Sequence, residues 1–244
     1  MRRGAPLLLG AIFCAVAPPA FARDFARDFG GLSLQLEAAS DERRRGISWS
    51  EGDPVLGASA SLSVLPSLSL DVAATSLRGS ARHGGADAVI DIDADYGMQL
   101  GAVRVQALGS WHAFPGTSGM GYGEVGAGLG YQFGPAAFDL FARYAPDQAA
   151  IGGDNLVLGS ALAIGIPRTP LTLSAHLARS SGSNDDPVRA RRLRPDGAYW
   201  DHGVALDYHR GRWSAGLRYS SSSIGKGAAF HAGPALIARI ALNL

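Results

Sequence analysis

The chain has 244 residues, with 33 glycines, 47% apolar side chains and a single cysteine, and its 22 basic residues against 21 acids give a net charge of +1 with histidine neutral. A balance this close to neutral argues against a polyanion-binding protein, so no nucleic-acid partner is expected, and one cysteine excludes both a disulfide framework and a thiolate metal site. Abundant glycine and almost no sustained 3.6-residue periodicity argue against a helical fold.

The first 22 residues differ from the rest. Arg2 and Arg3 precede an apolar run from Ala5 to Val16, followed by Pro18-Pro19 and Ala20-Phe21-Ala22. That order of basic, apolar and small residues predicts a cleaved secretory signal peptide over 1–22. Ile12-Phe13-Cys14 lacks the small residues of a lipoprotein site, so no lipid anchor is expected. Cleavage would remove Cys14 and two arginines, leaving the acids in excess by one. Residues 23–30 are expected to form a short periplasmic segment and 31–244 the folded body. No later stretch has the ~18 consecutive apolar residues of a membrane helix.

Period two then dominates. Leu32, Leu34, Leu36 and Ala38 alternate with Ser33, Gln35 and Glu37. Similar runs at 54–65, 67–77, 87–97, 100–111, 121–133, 135–145, 154–166, 170–179, 198–209, 212–222 and 232–244 predict twelve strands in all. Their connections alternate in length. Tight turns are expected at Leu65-Pro66-Ser67, Gly97-Met98, Gly134-Pro135, Pro167 to Pro170 and Arg210-Gly211. Longer polar or Gly-rich segments fall at 43–53, 78–86, 112–120, 146–153, 180–197 and 223–231. An even number of strands, with short turns at one end and long loops at the other, predicts an all-β, up-and-down antiparallel transmembrane barrel of the bacterial outer-membrane kind.

One parity of these strands is apolar, as in Val125, Leu129, Tyr131 and Phe133. The other carries Asp91, Asp93, Asp95, Arg104, Glu124, Asp139, Arg143, Asp207 and Arg218. Strand by strand, a water-soluble sandwich fits equally well. The length of the strands, the aromatics Tyr96, Trp111, Phe133, Tyr144, Tyr208, Trp213 and Tyr219 near strand ends, and an alternating terminal ALIARIALNL favour the barrel.

Three motifs invite other chemistry. Gly121 to Gly126 matches the dinucleotide-binding fingerprint, but it lies inside an alternating strand with no helix to follow, so no cofactor is expected. Asp91, Asp93 and Asp95 share a face about 7 Å apart along one strand, which spreads a metal-ligand run into an acidic stripe; no metal is expected. His176 shares its face with Thr172 and Ser174, yet no nucleophile elbow accompanies it and no enzyme activity is expected. Arg189, Arg191, Arg192 and Arg194 lie in the longest loop, where they would contact lipopolysaccharide phosphates, fold inward as a constriction, or simply be solvated.

Ser40-Asp41-Glu42-Arg43-Arg44-Arg45-Gly46-Ile47-Ser48 resembles the S-D-Y-R-F-R-G-I-S segment near the mature N-terminus of the TorF-type porins of proteobacteria. Tyr122 to Leu129 is similar to that family's Y-G-E-V-Y-A-G-L, and Leu173 to Leu177 to its L-S-A-H-V. The resemblance implies an outer-membrane pore. The family's two aromatics are Glu42 and Arg44 here. Continuing the parity of the first strand, these two are expected to face outward above the hydrocarbon, with Arg43 and Arg45 pointing into the pore mouth.

The expected function is passive diffusion of small hydrophilic solutes across a Gram-negative outer membrane. The expected partners are membrane lipid, lipopolysaccharide and the barrel assembly machinery. Inward acids outnumber inward arginines on the strands, which predicts a mild cation preference. The pore lining is expected to comprise Arg43, Arg45, Asp91, Asp93, Asp95, Arg104, Glu124, Asp139, Arg143, His176, Asp207 and Arg218. A closed barrel with a structural or surface-binding role is the alternative, with a barrel phospholipase behind it.

Overall fold

The computed structural model describes residues 31–225, 227 and 231–244. The signal peptide expected over 1–22 and the segment 23–30 lie outside the described residues, as does Lys226.

The chain forms β1 (Leu32–Ala39), β2 (Arg43–Arg44), β3 (Ile47–Ser48), β4 (Val55–Leu65), β5 (Leu68–Ser80), β6 (Ala86–Leu100) and β7 (Val103–Ala113). It continues with β8 (Tyr122–Phe133), β9 (Ala136–Gln148), β10 (Gly153–Gly165), β11 (Leu171–Ser181), β12 (Tyr199–Arg210), β13 (Trp213–Ser222) and β14 (Ala235–Asn243). All but β2 and β3 pair with their sequence neighbours in one antiparallel sheet, which β1 closes by pairing with both β4 and β14. The result is a closed barrel of twelve strands. β2 and β3 form a separate two-stranded hairpin.

The alternation in the sequence maps directly onto the wall. Leu34, Leu36, Val125, Leu129, Leu140, Leu206 and Leu217 are all exposed on the outside, while Asp91, Glu124, Asp201 and Asp207 are buried inside. A sandwich in water would have the opposite arrangement. A continuous apolar outer surface of this extent is rare on monomeric soluble proteins and marks a membrane or partner contact. The aromatics Tyr96, Trp111, Phe133, Tyr144, Tyr208, Trp213 and Tyr219 all point outward.

One turn differs from expectation. Gly97 and Met98 pair with Gln106 and Val105 inside the sheet, and the chain reverses instead after Leu100. Tyr96, Met98 and Leu100 continue the outward parity, and Gly101 adopts the left-handed conformation (φ +64) that the tight turn requires. Gly97 is therefore an inward strand residue, placed beside the Arg104 side chain.

The lumen is partly filled by wall side chains. Phe141 on β9, Val157 on β10 and Ala178 on β11 form an apolar cluster on the inner face. It fits because Gly159 leaves room: a Cβ there would collide with the Phe141 ring and stand 2.8 Å from the Ala178 methyl. Gly159→Ala is expected to displace the ring and cost about 1–3 kcal/mol, as overpacking does. The urea midpoint of the refolded barrel measures this, and Phe141→Leu in the same chain is expected to restore most of the loss.

Candidate functional site

The long-loop end of the barrel is organised by the hairpin of residues 41–50, which turns into the lumen rather than away from it. Its reversal sits at Arg45 (φ +52) and Gly46 (φ +73), two successive left-handed residues of the kind that close a two-residue hairpin. A side chain at Gly46 would meet the Asp201 and Ser222 Cβ atoms at 2.9 Å, so only glycine lets the turn lie against the β12–β13 wall. Asp41 fixes the base of the hairpin. It accepts from Ser48 Oγ (2.5 Å), Ser50 Oγ (2.9 Å) and Arg43 Nε (3.0 Å).

The three consecutive arginines diverge. Arg43 stays at the rim and donates to the Gly46 and Gly233 carbonyls. Arg44 crosses to β6 and grips Asp91 with both terminal nitrogens (3.0 and 2.7 Å), while its Nε donates to Glu42 (2.7 Å). Its guanidinium also lies 4.3 Å from the Trp49 ring centre. Arg45 reaches β8 and pairs with Glu124 at 2.5 Å. Burial works against both charges, but the facing carboxylates outweigh it and hold the two guanidiniums above their ordinary pKa.

This corrects the expected orientation of two residues. Arg44 is buried in the lumen and Glu42 turns to it, so neither faces outward. The parity of β1 ends at Ala39, because the hairpin begins a new strand pair with its own facing. Of the two arginines expected at the pore mouth, Arg45 enters the lumen and Arg43 is held at the rim by Asp41.

His112 on β7 ties the two acids together. Its Nδ1 lies 2.6 Å from Asp91, and since an ionised carboxylate can only accept, that nitrogen carries the proton. Its Nε2 is 3.9 Å from Glu124, and Arg143 approaches the same carboxylate at 3.9 Å. Three acids, Glu42, Asp91 and Glu124, thus face three guanidiniums, those of Arg44, Arg45 and Arg143, with the His112 ring set between Asp91 and Glu124. The other expected lining residues also face inward. Ser110 donates to Asp93, Gln106 links Arg104 to Asp95, and Asp207 takes Arg239 (2.7 Å), which lies 3.8 Å from Glu37. Asp139 packs beside Gly130, Arg218 sits on β13 opposite Ala205, and His176 Nε2 is 3.3 Å from Asp201.

A roof covers the hairpin. Arg192 is buried and donates to the Met120 (3.0 Å) and Ala150 (2.5 Å) carbonyls and to His83 Nδ1 (3.1 Å), with the Phe114 ring 5.1 Å away. Arg194 is buried as well and bonds the carbonyls of Gly182, Asp154 and Ser183. Arg189 and Arg191 remain exposed, Arg189 with a bond to the Ala149 carbonyl. Of the four loop arginines, therefore, two pin loops together and two face solvent. Trp49, Leu77, Phe114, Tyr122, Ile151 and Leu193 pack into one apolar cluster beneath them.

Phe141, His112 and Arg44 were not among the residues expected to line the lumen. Phe141 and His112 lie on the inward parity of their strands and were legible there. The signal for Arg44 was the Arg45-Gly46 turn.

A sequence model of a family described as "Bacterial protein of unknown function (Gcw_chp)" matches residues 30–232. No curated protein matches the sequence. Among solved structures, a KdgM porin superimposes with a TM-score of 0.58 at 9% identity, covering 86% of this chain and 97% of that one. A NanC porin does so with a TM-score of 0.58 at 12% identity and the same coverage. At such identities the likeness is one of fold, a porin-type barrel.

Arg44→Met leaves Asp91 without its main partner and is expected to cost about 3–5 kcal/mol, whereas Arg44→Met with Asp91→Leu recovers much of that. A double-mutant cycle on urea unfolding measures it. His83 concerns pH. Burial, with Arg192, Arg82 and Arg44 nearby, lowers its pKa to about 2. The unfolded chain takes up that proton first, so the stabilising contribution is complete above about pH 6.5 and declines as pH falls toward the folded value. Protease protection of the roof loops is expected to weaken between pH 6.5 and 5, and less so in His83→Asn, which keeps an acceptor for Arg192 but does not titrate.

Proposed function

The chain belongs to the Gcw_chp family, and from its site geometry we propose that it is a narrow, passive outer-membrane pore for small hydrophilic solutes. The observation that carries this is the inside-out barrel: an apolar outer belt around a lumen lined by ionised side chains. Its motifs at 40–48, 122–129 and 173–177 support placing it with the TorF-type porins. The order of basic, apolar and small residues over 1–22 supports a signal peptide and export, and the alternating terminal strand β14 suits recognition by the barrel assembly machinery. Arg189 and Arg191, exposed on the long-loop side, are suited to lipopolysaccharide phosphates.

The hairpin is the constriction of this pore. Its arginines neutralise Asp91 and Glu124, which removes two acids from the excess on the wall. Asp71 and Asp93, directly opposite each other on β5 and β6, and Asp95 next along keep the deeper lumen acidic. A mild cation preference follows from those three. His176 lies against Asp201 inside the lumen, away from the outer surface where a phospholipase would work.

A closed, surface-binding barrel is the second reading, favoured by the depth at which the hairpin is buried: Ile47 is 1% and Trp49 3% exposed. Planar-bilayer recording of the refolded mature chain decides between them. The pore reading expects discrete steps with a reversal potential on the cation side, and larger steps from Arg44→Gln/Arg45→Gln, which frees the hairpin. Anion selectivity would overturn the charge argument. Silence from a folded barrel, in both wild type and the double variant, would establish the closed reading.

A further inference from the structure

Between the hairpin and the arc of wall running from β6 to β12 lies a cavity of about 50 Å³. At roughly 10–15 Å³ per water, it has room for a guest of only a few heavy atoms. β6 and β12 stand six places apart in the closed order of twelve, so the lining of the cavity is drawn from opposite sides of the wall. The hairpin fills the other side.

Among its lining residues, Asp201 and Arg45 present buried polar atoms without a hydrogen-bond partner, as His112 does at Nε2. Asp201 is 0% exposed, yet neither of its carboxylate oxygens receives a hydrogen bond. His176 Nε2 comes within 3.3 Å of one oxygen but without hydrogen-bond geometry. Across the cavity, Arg45 uses Nη2 on Glu124, while its buried Nη1 has no acceptor. A buried carboxylate and a buried guanidinium nitrogen left in this way are costly unless a guest satisfies them. Between them the wall is apolar, made by Phe141, Val157 and Ala178.

We propose that this cavity binds a small zwitterion, an α-amino acid of glycine or alanine size, with its ammonium on Asp201, its carboxylate on Arg45 and its carbon face against Phe141 and Val157. A lone cation would leave Arg45 Nη1 unmatched, and a lone anion would leave Asp201 so. Besides His112, the charged residues lining the cavity are three guanidiniums (Arg44, Arg45, Arg143) and three carboxylates (Asp91, Asp93, Asp201), and a net-neutral guest leaves the charge of the cavity unchanged. The inference rests on the pore reading only in making the guest a solute in transit; the binding itself does not require conduction.

The test is equilibrium binding to the refolded chain in detergent, followed by saturation-transfer NMR with glycine, alanine, ethylammonium and acetate as probes. Glycine and alanine are expected to bind saturably, with ethylammonium and acetate weaker by about tenfold or more, and Asp201→Asn weakening glycine by about tenfold. Val157→Phe, which fills the cavity from its apolar side and leaves every charge in place, is expected to abolish binding. Ethylammonium binding as well as glycine, glycine binding that ignores both variants, or no binding to a folded barrel would each overturn the proposal. Binding without conductance would sink the pore and keep the site, whereas conductance without binding would do the reverse.

Discussion

Everything in this structure depends on the pairing of the first strand with the last. β1 and β14 align Leu36 with Leu242 and Ala38 with Ile240, and the Gln35 amide donates to Asn243 across the same seam. Without that seam the sheet would have two open edges, each a row of unpaired backbone groups. With it, every strand has two neighbours, and the wall can carry apolar side chains outward without exposing polar backbone. The polar parity is then confined to a lumen of fixed width, and its ionisable groups are brought within reach of one another.

That confinement explains the arginine hairpin. Asp91 and Glu124 sit on neighbouring parts of one wall, buried and joined by His112, where two ionised acids could not be tolerated unmatched. The loop supplies two guanidiniums from adjacent positions, and a left-handed turn sends them to different strands. Buried ion pairs of this kind add little net stability over apolar packing, but they penalise any other placement of the hairpin. Arg44, bidentate on one carboxylate and stacked on Trp49, admits essentially one pose. The hairpin is thus positioned by charge and kept in place by Ile47, which packs with Tyr199, Ile224 and Ala232.

Most of the wall was legible in the sequence, for a simple reason. A barrel strand has lipid-like surroundings on one side and a polar lumen on the other, so its residues alternate without the ambiguity of a two-sided core. Even the inward glycines of β8 were readable as space for large neighbours such as Arg143. What was not legible lay where parity stops. Gly97 looked like a turn because glycine usually marks one, although the alternation continued to Leu100. Arg44 was assigned to the outer face by carrying β1 past its end, across a loop with a facing of its own. The burial of Arg192 and Arg194 had no local signal at all, since a basic loop reads the same whether it is solvated or folded onto carbonyl oxygens.

The hairpin lies near the start of the chain, but its partners do not. Arg44 reaches Asp91 across 47 residues and Arg45 reaches Glu124 across 79. Tyr199 donates to the Arg45 carbonyl across 154, and Arg43 reaches Gly233 across 190. Contacts of such long sequence separation form late, after intervening segments have been placed. The hairpin therefore completes its set of contacts only when the last strands arrive. Occupancy of the lumen by residues 41–50 is in this sense a marker of completion. A chain stalled short of β13 would have a partial wall, and its hairpin would lack the Gly233 carbonyl that receives Arg43 and the Ile224 and Ala232 side chains that pack on Ile47.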